Sequence, residues 1–253
     1  MAMPLAIDLN ADLGESFGAW RMGLDEALMA ELSSCNIACG FHAGDPQVMA
    51  HTVALAKSLG VAIGAHPGLP DLQGFGRREM ALSPAEVHAL CLYQLGALDA
   101  FLRPHRLAMH HVKAHGALYH MLSGSAALAA AYADAVQSFD AALKVYGAPQ
   151  GALREACGAR GLVYCAEGFA DRAYQADGQL RPRREAGALI HEPEQALNQA
   201  LCLARGQPLP LADGTLQLRV DTLCVHGDGA TALALARSLR AGLRRAGFEL
   251  RAP

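Results

Sequence analysis

The chain has 253 residues, of which 52% are hydrophobic and 18% charged, a composition typical of a globular protein and too apolar for a disordered one. Its formal net charge of −3 gives no reason to expect nucleic acid or an anionic membrane as a partner. The seven cysteines are odd in number and form no C-x-x-C pair, so we interpret them as reduced and buried. The first residues do not resemble a signal peptide, and no stretch reaches the ~18 apolar residues of a membrane span, so we expect a cytoplasmic protein.

Seven short apolar segments are predicted to be β-strands. Each is apolar along its length instead of alternating, which is typical of a strand covered on both faces in a parallel sheet. In chain order the predicted strands are residues 4–12, 35–40, 61–66, 107–115, 144–149, 162–169 and 220–227.

Longer helical stretches separate these strands. Asp45 and Pro46 are typical of an N-cap and a first helical position, and Gly60 ends the helix that they begin. Ser83 and Glu86 form a capping box at the start of the next predicted helix. Further helices are predicted at 125–139, 193–204 and 230–246.

The alternation of strands and helices predicts an α/β fold, either an open doubly wound sheet or a closed (βα) barrel. The chain length suits one barrel, since such a domain has about 250 residues. No linker divides the chain, so we predict a single domain over residues 1–253. Asp213 and Gly214 lie between two apolar runs within 209–220 and predict a small hairpin insertion.

Polar residues gather where the predicted strands end, which is where a (βα) barrel holds its catalytic groups. Asn10 and Asp12 share one face of the first strand because side chains alternate, and Glu15 follows in the loop. Later strand ends deliver Asn36, His42, Asp45, His66, Lys113, His115, Glu167, Arg172, His226 and Asp228.

Each of these residues also has a structural interpretation. Asp45 could serve only as a helix N-cap, and a histidine at a strand end is more often structural than catalytic. Asp8, deeper in the first strand, could be a buried structural carboxylate. The convergence of six strand ends nevertheless favours a site, because buried ionisable groups cost several kcal/mol unless they pair or bind a ligand.

The segment GFGRRE, residues 74–79, adds a candidate anion site. Arg77 offers a forked donor that suits a carboxylate or a phosphate, although a solvated arginine on a loop is the simpler interpretation. Neither a Walker A sequence nor a G-x-G-x-x-G segment after a strand is present.

Six segments together resemble the LamB/YcsF family: DLNADLGESFG, NIACGFHAGDP, GAHPGLPDLQGFGRR, VKAHGALYH, EGFADRAY and CVHGDG. They occur in order from residue 8 to about residue 245. The chain departs from the family pattern at Ala114 and His120, where proline and asparagine are usual, and at Gly229 and Ala230, where Asn-Pro is common. These departures lie beside the polar residues and put the rigidity of the loops in doubt more than the chemistry.

The resemblance implies a seven-stranded (βα) barrel of the glycoside hydrolase/deacetylase type. It also implies ATP-dependent hydrolysis of 5-oxoproline (pyroglutamate) to L-glutamate, by the A subunit of a 5-oxoprolinase that acts with partner subunits B and C. Because phosphoryl transfer usually needs a divalent metal, we also expect Mg²⁺, with ligands that the sequence does not identify.

This chemistry assigns a hypothetical role to each candidate residue. Lys113, with Arg77 or Arg172, would neutralise the phosphates and the substrate carboxylate. A side chain among Asp12, Glu15 and His66 would activate water, and His42, Asp45 and His115 would orient the reacting groups. Binding of substrate or phosphate would involve Asn10, Asn36, Arg77, Glu167, Arg172, His226 and Asp228.

Two other functions fit the same residues. A metal-dependent amidase or deacetylase would use an Asp- and His-rich rim without ATP, and would be active without a nucleotide. A non-catalytic subunit that binds a small acid for its partners would need fewer ionisable groups than the six strand ends supply, so the sequence favours an enzyme.

Overall fold

The computed structural model describes residues 5–211, 214–225 and 232–253, and these form a closed barrel of parallel strands surrounded by helices. The strand order around the barrel follows the chain, and the last barrel strand (Thr222–Cys224) closes the ring because it pairs with both the strand before it (Tyr164–Phe169) and the first strand (Leu5–Leu13). The barrel strands are β1 (Leu5–Leu13), β2 (Ser34–Ala38), β3 (Ala62–His66), β4 (His111–Lys113), β5 (Lys144–Gly147), β6 (Tyr164–Phe169) and β9 (Thr222–Cys224). The predicted (βα)7 barrel is therefore confirmed.

The helices occupy the outside of the barrel. They are α1 (Asp25–Met29), α2 (Pro46–Leu59), α3 (Pro84–Leu102), α4 (Gly116–Gly124), α5 (Ala126–Phe139), α6 (Ala152–Ala159), α7 (Pro193–Arg205) and α8 (Ala232–Arg245), with a 3-10 turn at Arg103–His105. The caps predicted at Asp45 and Ser83 are both present, and Gly60 ends α2 in the left-handed conformation. None of the helices in the described ranges is both long and apolar enough to cross a membrane.

Three further strands in the described part of the chain lie outside the barrel ring. The antiparallel hairpin of β7 (Pro208–Leu211) and β8 (Gly214–Gln217) confirms the predicted insertion, although Asp213 lies outside the described residues. The C-terminal strand β10 (Phe248–Leu250) pairs with the first residues of β1 and was not predicted. All seven cysteines are free thiols, as expected, and six of them are buried, whereas Cys202 is only partly buried.

The predicted boundaries are wrong chiefly at the fourth strand. The expected strand at 107–115 shrinks to His111–Lys113, because β3 pairs with it only at Gly64 and Ala65 and helix α4 begins at Gly116. Helices α1, α4 and α6 were also not predicted. They have five to nine residues, too few for a helical period to stand out from the sequence.

The interior of this barrel is polar, while its apolar core lies between the strands and the helices. Along β1, Leu9 and Ala11 are buried toward the helices, whereas Asp8, Asn10 and Asp12 point inward. The inward direction follows from their contacts across the barrel, such as the 3.1 Å hydrogen bond from the Tyr146 hydroxyl of β5 to Asp8.

Asp8 anchors the bottom of the interior. Its carboxylate accepts hydrogen bonds from the hydroxyls of Ser33, Ser34, Thr222 and Tyr146 at 2.6–3.1 Å. Burial raises the pKa of Asp8, and these hydroxyls oppose that rise by stabilising the charged form. Asp8 is thus a satisfied structural carboxylate, as one interpretation of the sequence held.

His111 fills the interior one layer above Asp8. Its Nε2 donates to the Asn36 side-chain oxygen at 2.7 Å, and its ring stacks on Tyr146 with centroids 3.9 Å apart. The neighbouring position on β3 is Gly64, where a Cβ atom would collide with the His111 imidazole. The glycine therefore makes room for a buried histidine.

We expect Gly64→Ala to lower the free energy of unfolding by about 1–3 kcal/mol, because the added methyl group overpacks the barrel interior. Urea denaturation measures the change. The matched control is Gly96→Ala in the interior of α3, where a Cβ would meet nothing within 4 Å, and this variant should gain up to ~1 kcal/mol from helix propensity. Equal stability of the two variants would contradict the packing at His111.

The buried His111 also predicts a dependence of stability on pH. Burial, with smaller contributions from His110 and Lys113, holds the pKa of His111 well below its usual value. The unfolded chain takes up this proton near pH 6.5 and the folded chain does not, so the free energy of unfolding falls as the pH drops below about 6.5. The slope for one such proton is at most ~1.4 kcal/mol per pH unit.

We expect His111→Gln, which keeps a donor for Asn36, to reduce this slope by up to one proton. The measurement is urea denaturation at pH 5, 6 and 7. The exposed His51 provides the control, because His51→Gln should leave the slope unchanged. A His111→Gln variant with the wild-type slope would show that His111 is not the titrating group.

Candidate active site

An ion-pair triad of Asp12, Lys113 and Glu167 lies at the centre of the upper barrel. The Lys113 Nζ is 3.0 Å from Asp12 Oδ1 and 2.8 Å from Glu167 Oε1. Lys113 is 3% exposed and Glu167 fully buried. Burial alone would lower the pKa of Lys113, but the nearby Asp12, Cys224 and Glu167 raise it well above its usual value. The lysine is therefore charged and reaches across the barrel from β4 to two carboxylates, one on β1 and one on β6, which are separated by β9 alone.

Two asparagines tie this triad to the strands. The Asn10 amide donates to Glu167 at 3.2 Å and to the Thr222 hydroxyl at 2.6 Å. The Asn36 amide donates to Asn10 Oδ1 and to Asp12 Oδ1, both at 2.8 Å. These amides are saturated by internal partners, which supports a positioning role, while their contact with a substrate stays a prediction.

Backbone carbonyls fix the tautomers of two histidines above the triad. His66 Nδ1 is 2.8 Å from the Lys113 carbonyl, and His115 Nε2 is 2.8 Å from the Phe75 carbonyl, so both nitrogens donate. The other two nitrogens, His66 Nε2 and His115 Nδ1, face each other 3.0 Å apart. At most one proton fits between them. Burial and the neighbouring His66 lower the pKa of His115 to about 3, so this ring is neutral.

Glu15 and His42 complete what we call the histidine cluster, made of Glu15, His42, His66 and His115. The Glu15 Oε1 is 3.3 Å from His42 Nε2 and 3.5 Å from His115 Nδ1. The His42 ring stacks on His115 with centroids 3.6 Å apart and planes 4° from parallel. One donor atom from each member lies within 4.8 Å of the others, so the cluster could hold a metal ion.

Glycines in the surrounding loops allow the rings to pack this closely. A Cβ at Gly68 would collide with the His42 ring, and one at Gly76 would press on both His42 and His115. Gly76 also has a φ of +62°, a conformation that glycine adopts without strain. The glycines of GAHPG and GFG therefore shape the histidine cluster.

A cavity of about 280 Å³ lies on the other side of the triad and is lined by Glu167. Tyr119, Phe169 and Tyr174 form its apolar wall. The Tyr119 hydroxyl and Glu167 Oε2 are buried and form no hydrogen bond of normal geometry among the residues that the structure describes, although they are close enough for Glu167 to contribute, after burial, to raising the pKa of Tyr119. Buried polar atoms without partners are costly, so these two atoms indicate that the cavity receives a polar ligand.

Most of the predicted site residues meet in this arrangement. The triad, the two asparagines and the histidine cluster bring together Asn10, Asp12, Glu15, Asn36, His42, His66, Lys113, His115 and Glu167. His226 and Asp228 lie outside the described residues.

Asp45 does not take the catalytic position that the sequence suggested. Its Oδ1 accepts from the backbone N–H groups of Gln47 and Val48, and its Oδ2 accepts from Gly18 at 2.8 Å. Both carboxylate oxygens thus cap α2 and hold the loop that follows β1. The N-cap interpretation is correct for this residue.

The two predicted arginines occupy different environments. Arg77 is exposed and its guanidinium carbon lies 4.9 Å from the centroid of the Phe75 ring. Arg172 is 5% exposed, donates to the Arg181 carbonyl at 2.7 Å and leaves its Nε without a hydrogen-bond partner among the described residues. Arg172 therefore suits an anionic ligand better than Arg77.

Sequence reasoning missed His111 and Tyr119. His111 lies two residues before Lys113 and so faces the same side of β4, a signal that strand alternation could have supplied. Tyr119 lies in α4, a helix that was not predicted, so nothing in the sequence placed its hydroxyl beside Glu167.

The triad changes what we expect from removing Lys113. The hypothesis that Lys113 neutralises phosphates predicts that Lys113→Ala folds normally. In the structure, however, this change would leave Glu167 as a buried carboxylate without a cationic partner. We therefore expect Lys113→Ala to lower the free energy of unfolding by about 3–5 kcal/mol in urea denaturation.

A second substitution separates loss of the ion pair from loss of packing. Glu167→Gln in the Lys113→Ala background removes the unpaired charge of Glu167 and should restore part of the lost free energy of unfolding. Lys57→Ala on the surface of α2 serves as the lysine control and should change the stability little. A Lys113→Ala variant as stable as Lys57→Ala would refute the role of the triad.

Comparison with known proteins identifies the family of the chain. Residues 7–253 match the LamB/YcsF family. The 5-oxoprolinase A subunit of Methylococcus capsulatus is 55% identical over 99% of this chain and 96% of its own, and that of Bacillus subtilis is 49% identical over 97% and 96%. The crystal structure of a lactam utilization protein from Thermus thermophilus superimposes with a TM-score of 0.93 and 47% identity, covering 98% of this chain and 100% of that one. Because the family match and these relatives span nearly the whole sequence, the chain belongs to the LamB/YcsF family.

Proposed function

We propose that the chain is the A subunit of a multi-subunit 5-oxoprolinase and hydrolyses the lactam of 5-oxoproline to L-glutamate. The observation that carries the proposal is the cavity beside the triad, where the buried Tyr119 hydroxyl and Glu167 Oε2 form no hydrogen bond of normal geometry with any described residue. A lactam places its N–H and C=O on the same side of the ring. The carboxylate oxygen suits the N–H and the hydroxyl suits the C=O.

The names of the relatives support this choice of substrate. The M. capsulatus and B. subtilis proteins are each named as the A subunit of 5-oxoprolinase, and the T. thermophilus protein is named a lactam utilization protein. A cavity of about 280 Å³ with an apolar wall is suited to a small five-membered ring.

Arg172 is the candidate partner of the substrate carboxylate. Arg172 is buried, and its Nε lacks a hydrogen-bond partner among the described residues. Its positive charge is, after burial, the next cause of the lowered pKa of His120, a residue that lines the cavity. A guanidinium close to the cavity would select an acidic lactam over a neutral one.

ATP makes the hydrolysis feasible, because an unactivated lactam is a poor electrophile. Transfer of the γ-phosphoryl group to the lactam oxygen would create a good leaving group. Water then adds to the ring carbon, and the C–N bond breaks as the nitrogen takes a proton, which leaves an acyl phosphate. A second water hydrolyses this acyl phosphate to the carboxylate and inorganic phosphate. The products are glutamate, ADP and phosphate.

The residues near the cavity supply the remaining roles. Asp12, which Lys113 connects to Glu167 on the cavity wall, would accept the proton of the attacking water through its Oδ2. Mg²⁺ would enter bound to ATP and would not use the histidine cluster. Mg²⁺ prefers oxygen ligands, whereas the cluster offers three imidazoles and one carboxylate. Subunits B and C would complete the nucleotide-dependent steps.

The histidine cluster favours one alternative, a metal-dependent amidase that opens the lactam without ATP. The two functions differ in their need for nucleotide and partners. A protein that only binds the acid would bind 5-oxoproline and release no glutamate in any mixture.

The deciding experiment measures glutamate release from 5-oxoproline by this chain alone and by its mixture with the candidate subunits B and C, each with and without ATP and Mg²⁺. We expect glutamate only from the full mixture with ATP. Release by the chain alone without ATP would replace the proposal with the amidase. No release from folded, associated proteins would refute both.

A variant tests the cavity itself. Tyr119→Phe removes one hydrogen bond to the substrate and should raise KM for 5-oxoproline by roughly 2- to 12-fold, the equivalent of about 0.5–1.5 kcal/mol. Tyr93→Phe is the matched control, because Tyr93 is exposed on α3. If both variants keep the wild-type KM, the substrate binds elsewhere.

A further inference from the structure

We propose that His66, His115 and Glu15 bind one divalent transition-metal ion, and that His42 orients these ligands without binding the ion itself. The site is separate from the Mg²⁺ that accompanies ATP. Only the role of the ion rests on the proposed function, because its binding follows from the geometry of the histidine cluster.

The tautomers of two histidines leave lone pairs where an ion would lie. The carbonyls of Lys113 and Phe75 accept the N–H groups of His66 Nδ1 and His115 Nε2. Histidine ligands of metals usually donate their second N–H in this way, which raises the basicity of the coordinating nitrogen and fixes the ring. His66 Nε2 and His115 Nδ1 are therefore prepared as ligands.

The distances agree with shared coordination. Zinc–nitrogen bonds of about 2.0–2.1 Å place two nitrogens on one ion roughly 2.9–3.4 Å apart. The two histidine nitrogens are separated by 3.0 Å. Glu15 Oε1 is 3.5 Å from His115 Nδ1, and Asp12 Oδ2 lies 3.3 Å from His66 Nε2 on the neighbouring side.

Ring orientation separates His42 from the other two histidines. The rings of His66 and His115 are perpendicular, so one ion can lie in the planes of both. The rings of His42 and His115 are parallel and stacked, with centroids 3.6 Å apart, so an ion in one plane lies outside the other. The His42 ring instead packs against the His115 ring and fixes its orientation. The Nε2 atom of His42 lies 3.3 Å from Glu15 Oε1.

The donor set indicates which ions bind. Two imidazoles and a carboxylate are typical ligands of Zn²⁺ and of other borderline ions, whereas Mg²⁺ prefers oxygen. Three protein ligands leave positions open for water, as in catalytic zinc sites. Such an ion would lower the pKa of the water that attacks the lactam. Lys113 connects this site to the cavity, because it contacts both Asp12 and Glu167.

The test measures metal binding by the full chain. Metal-free protein is titrated calorimetrically with Zn²⁺ and with Mg²⁺, and Co²⁺ is added separately to record the visible absorption of a bound ion. We expect one Zn²⁺ per chain, no comparable binding of Mg²⁺, and a rise in the unfolding temperature with Zn²⁺. Absence of Zn²⁺ and Co²⁺ binding to the folded wild-type chain would overturn the proposal.

Variants assign the ligands. His115→Ala and Glu15→Gln should each weaken Zn²⁺ binding at least 100-fold, while His42→Phe, which keeps a stacked ring, should weaken it by about 10-fold, as loss of a supporting contact does. His51→Ala removes an exposed histidine and should have no effect. Equal loss in His42→Phe and His115→Ala would overturn the role given to His42.

Two outcomes separate this inference from the proposed function. Zinc binding with the expected variant pattern, but without glutamate release from the full mixture, supports the metal site and refutes the function. Glutamate release that persists at the wild-type rate in zinc-free His115→Ala overturns the metal's role and leaves the function in place.

Discussion

The structure depends on one buried cation. Lys113 contacts Asp12 and Glu167 at 3.0 and 2.8 Å, and without it two largely buried carboxylates would share the barrel interior with no cation between them. Its strand also carries His111 and leads directly to His115, and its backbone carbonyl sets the tautomer of His66. A single residue thus links the lower hydrogen-bond network, the histidine cluster and the cavity. Because a lone buried charge is so costly, the three parts must form together.

A polar barrel interior changes where the stability of the fold comes from. In most (βα) barrels the interior is filled by branched apolar side chains. Here the apolar packing lies between strands and helices, while the interior contains carboxylates, amides, hydroxyls and imidazoles that satisfy one another. Hydrogen bonds of this kind add little net stability but are expensive to leave incomplete. The network therefore specifies one arrangement of side chains more than it strengthens the fold.

The sequence was sufficient to predict the barrel fold and most of the polar residues at the C-terminal ends of its strands. Apolar strands, helix caps and polar strand ends are local patterns, and they located Asp12, Lys113 and Glu167 at the correct end of their strands. It could not show that Lys113 is neutralised internally, because that depends on side chains 101 and 54 positions away meeting across the barrel. Asp45 has both a capping and a catalytic interpretation until its partners are known. Tyr119 lies on a nine-residue helix that has too weak a period to predict.

The fit of Gly64 against His111 has a consequence for the variation open to this chain. The two positions share one fixed volume, so a larger residue at 64 becomes acceptable only if the residue at 111 shrinks, and each change alone passes through a less stable intermediate. Since His111 Nε2 also donates to Asn36 Oδ1, a smaller residue there would leave that oxygen without its donor. The glycine and the histidine are therefore expected to be retained or replaced as a pair, and a designer who enlarges one must redesign the other.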